Sequence, residues 1–147
     1  IGGLLIILVR RDWENRMTTD FMNFNGASLD NYLGHEMIEI NEESAKSRLV
    51  INKNHHQPMG LVHGGIYATM AETLCSYGAN FNSGGMFVGV NNNTDFLSSV
   101  SEGELICSAK LIKKGKSYQL WEAEIYHEHK LCAVSKVRLS RIKWNTL

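Results

Sequence analysis

The seventeen residues GGIYATMAETLCSYGAN, Gly64 to Asn80, constrain this chain more than any other stretch. No proline interrupts them, Ala, Met and Leu are good helix formers, and Ile66, Met70, Leu74 and Tyr77 recur at helical spacing. Apolar residues continue nearly all round, so the spacing predicts a central, enclosed helix rather than a surface one. Other segments of the chain must cover it.

The remaining patterns supply strands. ASLDNYLGHEMIEI reads as a short helix, with Ser28 or Asp30 near its start and Gly34 as its stop, leading into a strand. HEMIEINEESAKSRLVIN alternates in two runs about a polar turn near residues 41–44, the pattern of a hairpin. After the helix, MFVGVNNNTDFL begins as a strand and then turns polar. GELICSAKLIKKGKSYQLWEAEIYHEHKLCAVSKVRLSRI reads as three strands with turns near KKGK and HEHK. Within it Trp121, Ala123 and Ile125 alternate with Glu122 and Glu124, so one face is apolar and one wet. The expected architecture is α+β: an antiparallel sheet of five to six strands wrapped around one long helix.

A length of 147 residues with 44% hydrophobic content fits one domain with a real core. Fifteen basic and fifteen acidic residues cancel, so no global field draws nucleic acid or an anionic membrane to this chain. Cys75, Cys107 and Cys132 are odd in number, far apart and set in apolar runs, which suits free thiols and a cytoplasmic location. The apolar run Leu4 to Val9 is too short to span a bilayer and lacks the flanks of a secretory signal. Met17 is a candidate initiator, so the domain is placed at residues 17–147, with residues 1–16 an extension of uncertain origin.

Between Asn54 and Ser101 the only formal charges are Glu72 and Asp95. On a helix, Glu72 shares its face with Ala68, Thr69, Cys75 and Ser76, none of them basic. A carboxylate enclosed there is desolvated or hydrogen-bonded from outside the helix, and either condition suits a nucleophile or general base. At the helix entry, Gly64 and Gly65 leave backbone N–H groups uncovered at the positive end of the dipole, a ready oxyanion site. Eight residues separate Gly64 from Glu72, roughly 12 Å along the axis, too far for both to touch one atom from one helix. A substrate or a second subunit must bridge the gap, and a symmetric dimer would do so.

With these residues in place, GLVHGGIYATMAETLCSYG resembles the hotdog-fold acyl-CoA thioesterases, in the group that acts in the phenylacetate pathway and on 4-hydroxybenzoyl-CoA (Arthrobacter type), 1,4-dihydroxy-2-naphthoyl-CoA and enterobactin precursors. LGHEMIEI, VGVNNNTDFLSSVSEGEL and KLIKKGKSYQLWEAEIY extend the likeness over about residues 33–142. The resemblance implies that Glu72 is the catalytic carboxylate, as nucleophile or general base. It implies that the Gly64 amide polarises the thioester oxygen, with Gly65 beside it. Gln57 then positions thioester or water, His63 belongs to the His-Gly-Gly turn, and Ser76 lies near the acid. Asn93 and Phe96 fall in the substrate-binding strand, where Phe96 replaces the histidine of some members and exchanges a ring-hydroxyl contact for an apolar one. Lys113, Lys114 and Lys116 flank a glycine turn and would meet the phosphates of coenzyme A. The resemblance further implies a homodimer with sites at its interface, doubled into a homotetramer, with no metal or redox cofactor.

Three other readings start from the same residues. His55, His56 and His63 beside a strand pair His127/His129 suggest a metal hydrolase, but no HExxH or CxxC is present. A hotdog hydratase, or a thioesterase for acyl-carrier protein, keeps the fold and changes the substrate; the His-Phe-Pro-Gly turn of the dehydratases is missing. A non-catalytic acyl-CoA-binding module is the last. The set Glu72, Gln57 and Gly64 favours an enzyme.

Overall fold

The computed structural model describes residues 26–143 except Asn82. The expected boundary at Met17 and the apolar N-terminal run lie outside the described residues.

Helix α1, Leu29–Leu33, is capped by Ser28, whose hydroxyl accepts from the Asn31 N–H at 3.1 Å. Gly34 ends it in the left-handed region at φ 73°, a conformation that L side chains rarely adopt. Strands β1 (His35–Ile40) and β2 (Ser44–Val50) form the expected hairpin. A short 3-10 turn at Lys53–His55 and a loop lead to helix α2, Gly64–Asn80. Strands β3 (Met86–Phe96), β4 (Glu104–Lys114), β5 (Tyr118–His127) and β6 (Lys130–Ile142) complete one antiparallel sheet ordered β1-β2-β4-β5-β6-β3. Helix α2 contacts all six strands, so the sheet curves around it.

The core lies between α2 and the inner face of the sheet, where Met70, Leu74, Leu49, Leu105, Trp121, Ile125, Val137 and Leu139 are fully buried. Trp121 fills its centre; its indole N–H donates to Gln119 Oε1 at 2.8 Å, and Gln119 Nε2 donates to the Ala79 carbonyl at 3.1 Å. Both polar groups are thereby satisfied inside the core. Gly78 lies against the same ring: an added Cβ would stand 2.6 Å from the indole carbon Cη2. Gly78→Ala is therefore expected to lower stability by about 1–3 kcal/mol through overpacking, read as a fall in denaturation midpoint with an unchanged m-value.

Three expectations are corrected. First, β3 does not stop where it turns polar: Asn91 to Phe96 pair with Arg138 back to Ala133 on β6, and the edge position tolerates polar side chains. Second, helix α2 is not enclosed all round. Gly65 and Glu72 are exposed and Ala68, Thr69, Thr73, Ser76 and Asn80 half-buried, because a single chain's sheet covers only part of the helix. Third, His127 ends β5 while His129 sits in the following turn, so the two do not share a strand face.

Candidate active site

The loop before α2 is fixed by its own histidines. The His55 ring is buried, accepts the Asn52 N–H at Nδ1 (2.9 Å) and bonds the Leu33 carbonyl through Nε2 (2.8 Å). The His55 carbonyl accepts the His63 N–H at 2.8 Å, which sets where α2 begins. His63 is the N-cap, and its Nδ1 accepts the Gly65 N–H at 2.9 Å. The Gly65 amide is thus occupied, whereas the Gly64 N–H has no acceptor among the described residues. It stands at the positive end of a 17-residue helix.

Gly64 opens on a cleft of about 230 Å³ lined with Gln57, Val62, Tyr67, Phe96, Leu97, Ser98 and Ser99. Gln57 Oε1 accepts from the Met59 N–H, which leaves its amide Nε2 as the available donor. The Phe96 ring covers Gly64 so closely that an added Cβ would lie 2.5 Å from it. Tyr67, one turn after Gly64, packs on Phe96 with ring centroids 6.1 Å apart. Burial pushes the Tyr67 hydroxyl up to about 12, so it remains a donor, directed at the Ser98 carbonyl at 3.5 Å.

Glu72 opens on a different cleft of about 490 Å³, with Leu29, Asp30, Thr69, Thr73, Ser76, Tyr77, Asn80 and Met86. The two sets of lining residues have no member in common. Among the described residues the Glu72 carboxylate has neither a hydrogen-bond nor an ion-pair partner, and it is exposed rather than desolvated. One face of it rests on Gly89 of β3, where an added Cβ would lie 2.6 Å from Oε1.

The structure therefore brings Gln57, Gly64 and Phe96 together with His63 capping behind them, and separately brings Glu72 and Ser76 together. Gly65 borders neither cleft. Asn93 does not either: the β3 register shifts between Gly89 and Asn91, and it is Asn92 whose Nδ2 donates to the Ala68 carbonyl at 2.9 Å. Lys113, Lys114 and Lys116 are exposed at the β4–β5 hairpin, the end of the sheet near the C-terminus of α2, away from Gly64. Sequence reading missed Tyr67, Thr73 and Asp30. Helical spacing could have found the first two, Tyr67 three residues after Gly64 and Thr73 four after Thr69; Asp30 arrives from another element and left no local signal.

Two further constellations are set aside on geometry. Asp30 Oδ1 lies 2.8 Å from His35 Nδ1, and His35 Nε2 lies 2.7 Å from Ser47 Oγ, the order of a hydrolytic triad. Ser47 is fully buried, so no substrate reaches it, and the three side chains instead fasten α1 to β1 and β2. Cys75, one turn from Glu72, is also fully buried. Burial pushes its thiol well above the ordinary value, with the Cys107 and Glu72 charges adding to the effect, so it supplies no thiolate. Among the described residues no cluster of three metal-ligating side chains occurs, and no helix is long and apolar enough to cross a membrane.

An antiparallel sheet curved about one long helix is the architecture of a class of thioester hydrolases, and the chain belongs to the thioesterase superfamily, whose family model matches residues 59–133. The fold is the hotdog fold. The chain is 34% identical over 120 residues to a Mycobacterium tuberculosis protein named provisionally as an esterase, covering 78% of this chain and 86% of that one. It is 30% identical over 115 residues to the 1,4-dihydroxy-2-naphthoyl-CoA hydrolase of Listeria monocytogenes, covering 76% and 94%. The crystal structure of a Haemophilus influenzae thioesterase superposes with a TM-score of 0.78 at 29% identity, covering 86% of this chain and 90% of that one. The chain is an enzyme that hydrolyses thioesters.

Proposed function

We propose that the substrate is an acyl- or aroyl-CoA, hydrolysed to the free acid and coenzyme A at a site completed by two copies of the chain. The observation that carries this reading is the Glu72 carboxylate, without a hydrogen-bond or ion-pair partner among the described residues and open to a cleft that holds neither Gly64 nor Gln57. A twofold dimer that pairs the open sides of two α2 helices would set Glu72 of one protomer against Gly64 and Gln57 of its partner.

In this reading the thioester carbonyl oxygen accepts from the Gly64 N–H and from Gln57 Nε2. As the carbonyl carbon becomes tetrahedral, charge grows on that oxygen, where the amide and helix dipole stabilise it. Glu72 either attacks the carbon directly or removes a proton from the water that does. The C–S bond then breaks and coenzyme A leaves as a thiolate that takes up a proton; attack by water gives the acid at once, whereas attack by Glu72 gives a mixed anhydride that a water then cleaves to the acid and the free carboxylate. His63 acts indirectly, since its ring holds the Gly65 N–H and fixes the turn that aims the Gly64 amide. The chemistry asks for no metal or redox cofactor.

The test is release of coenzyme A thiol, followed with a chromogenic thiol reagent across short, medium, long and aromatic acyl-CoAs. Glu72-dependent release on at least one of them is expected, and the preferred acyl group defines the larger cleft. No release on any of them would overturn the acyl-CoA reading and direct the search to acyl-carrier-protein thioesters. The lysines at the β4–β5 turn serve the phosphates of coenzyme A as exposed point charges in this reading. Lys114→Ala is then expected to raise KM about threefold to tenfold with kcat unchanged, and the effect should shrink as salt is added.

A further inference from the structure

We propose that Gly89 and Asn92, on either side of the bulge in β3, are positioning residues for Glu72. The inference rests on the reading of Glu72 as the reacting carboxylate and concerns what holds it in place.

Strand β3 runs alongside α2 and touches it at four levels. Phe87 exchanges hydrogen bonds with the Asn80 side chain (2.8 and 2.9 Å), Gly89 meets Glu72, Asn92 bonds the Ala68 carbonyl, and Phe96 covers Gly64. Strict alternation would carry the inward series from Phe87 and Gly89 to residues 91, 93 and 95. The bulge inserts one residue, Val90, whose side chain is exposed, and moves the series to Asn92, Thr94 and Phe96. Bulges of this kind redirect side chains, and this one adds Asn92 to Gly89 as a second contact with the turn of α2 that carries Glu72.

The first contact is steric. A Cβ at Gly89 would stand 2.6 Å from Glu72 Oε1 and 3.3 Å from Cδ, so only a residue without a side chain leaves the carboxylate where it is. Gly89 is not among the positive-φ glycines, so its missing side chain rather than its backbone freedom is what the site uses. The second contact is polar. The Ala68 carbonyl that accepts Asn92 Nδ2 is also the acceptor of the Glu72 N–H in the α-helical pattern. Asn92 Oδ1 accepts from Thr94 Oγ1 at 2.6 Å, and Thr94 Oγ1 lies 2.7 Å from the buried Ser135 hydroxyl. The Glu72 side chain has no hydrogen-bond partner among the described residues, which makes these contacts of β3 its local frame.

The experiment measures kcat and KM for Gly89→Ala and Asn92→Ala, with thermal unfolding alongside, and repeats Gly89→Ala in a Glu72→Asp background. Gly89→Ala is expected to lower kcat on the order of 10- to 100-fold with KM within about twofold, because a small displacement of a reacting group is enough for that. In Glu72→Asp, whose carboxylate stops one methylene short of Gly89, the same substitution should cost less than about threefold. An unchanged kcat, or the same factor in both backgrounds, would overturn the proposal, since a general weakening of the strand acts alike in both. If Gly89→Ala does not fold, Asn92→Ala decides: lower kcat at constant KM and melting temperature supports the proposal, and wild-type kcat overturns it. Activity that survives Glu72→Ala would overturn the reading of Glu72 and the proposal with it. Dependence on Glu72 with indifference to both β3 residues would overturn the proposal alone.

Discussion

Glu72→Ala is expected to lower kcat by about 10²- to 10⁴-fold, the range that a positioned acid–base group contributes. The protein should fold as before. Glu72 is exposed, bonds no described residue, and sits in mid-helix where alanine is the most favourable replacement. Thermal unfolding and KM are the controls: both should stay near wild type, since the side chain acts on the carbonyl in the transition state rather than on the bound coenzyme. Turnover within a few-fold of wild type would remove Glu72 from the mechanism and turn attention to Asp30, the other carboxylate on the same cleft.

Gly64→Pro is expected to lower kcat by about 10²- to 10³-fold, the effect of deleting one oxyanion donor. Proline suits the first position of a helix, where its missing N–H is otherwise unpaired, and the preceding His63 is already extended at φ −64° and ψ 134°. The ring of Phe96 must give way, which its 59% exposure permits. The more informative result comes from mixing the two inactive variants. If Glu72 of one chain works with Gly64 of its partner, each mixed dimer holds one intact site and one doubly defective site. With random pairing, about a quarter of wild-type sites should return. A site built within one chain would recover nothing on mixing, so the experiment reads the architecture of the site independently of its substrate.

Much of this molecule is legible in its sequence, for reasons that differ by element. Helix α2 and the strands β4 to β6 follow directly from apolar periodicity, because each buries one face against the other. The cap at Ser28 and the stop at Gly34 follow from local chemistry. The same reading overstates the burial of Glu72, since apolar and small residues look alike in a helical pattern and Ala68, Thr69 and Ser76 lie on an open side. Asn93 and the continuation of β3 depend on pairing with residues some 40 positions away in β6. One inserted residue reverses which side chains face inward, and no local pattern announces it. The separation of Gly64 from Glu72 could be foreseen from helical rise alone, whereas their opening on distinct clefts required the packed sheet.

The order of elements carries a further consequence for biosynthesis. Helix α2 precedes in the chain the four strands β3 to β6 that form most of its cover. As the chain emerges from the ribosome N-terminus first, α2 is complete while Met86 to Ile142 have yet to appear, with only the β1–β2 hairpin to shield Met70 and Leu74. Such a nascent chain presents an apolar helix to its surroundings for the several seconds that the remaining strands take to be made. Products truncated within β5 or β6 should therefore collect in aggregates or on holding chaperones, while comparable losses from the edge hairpin, which buries less of the helix, should be better tolerated.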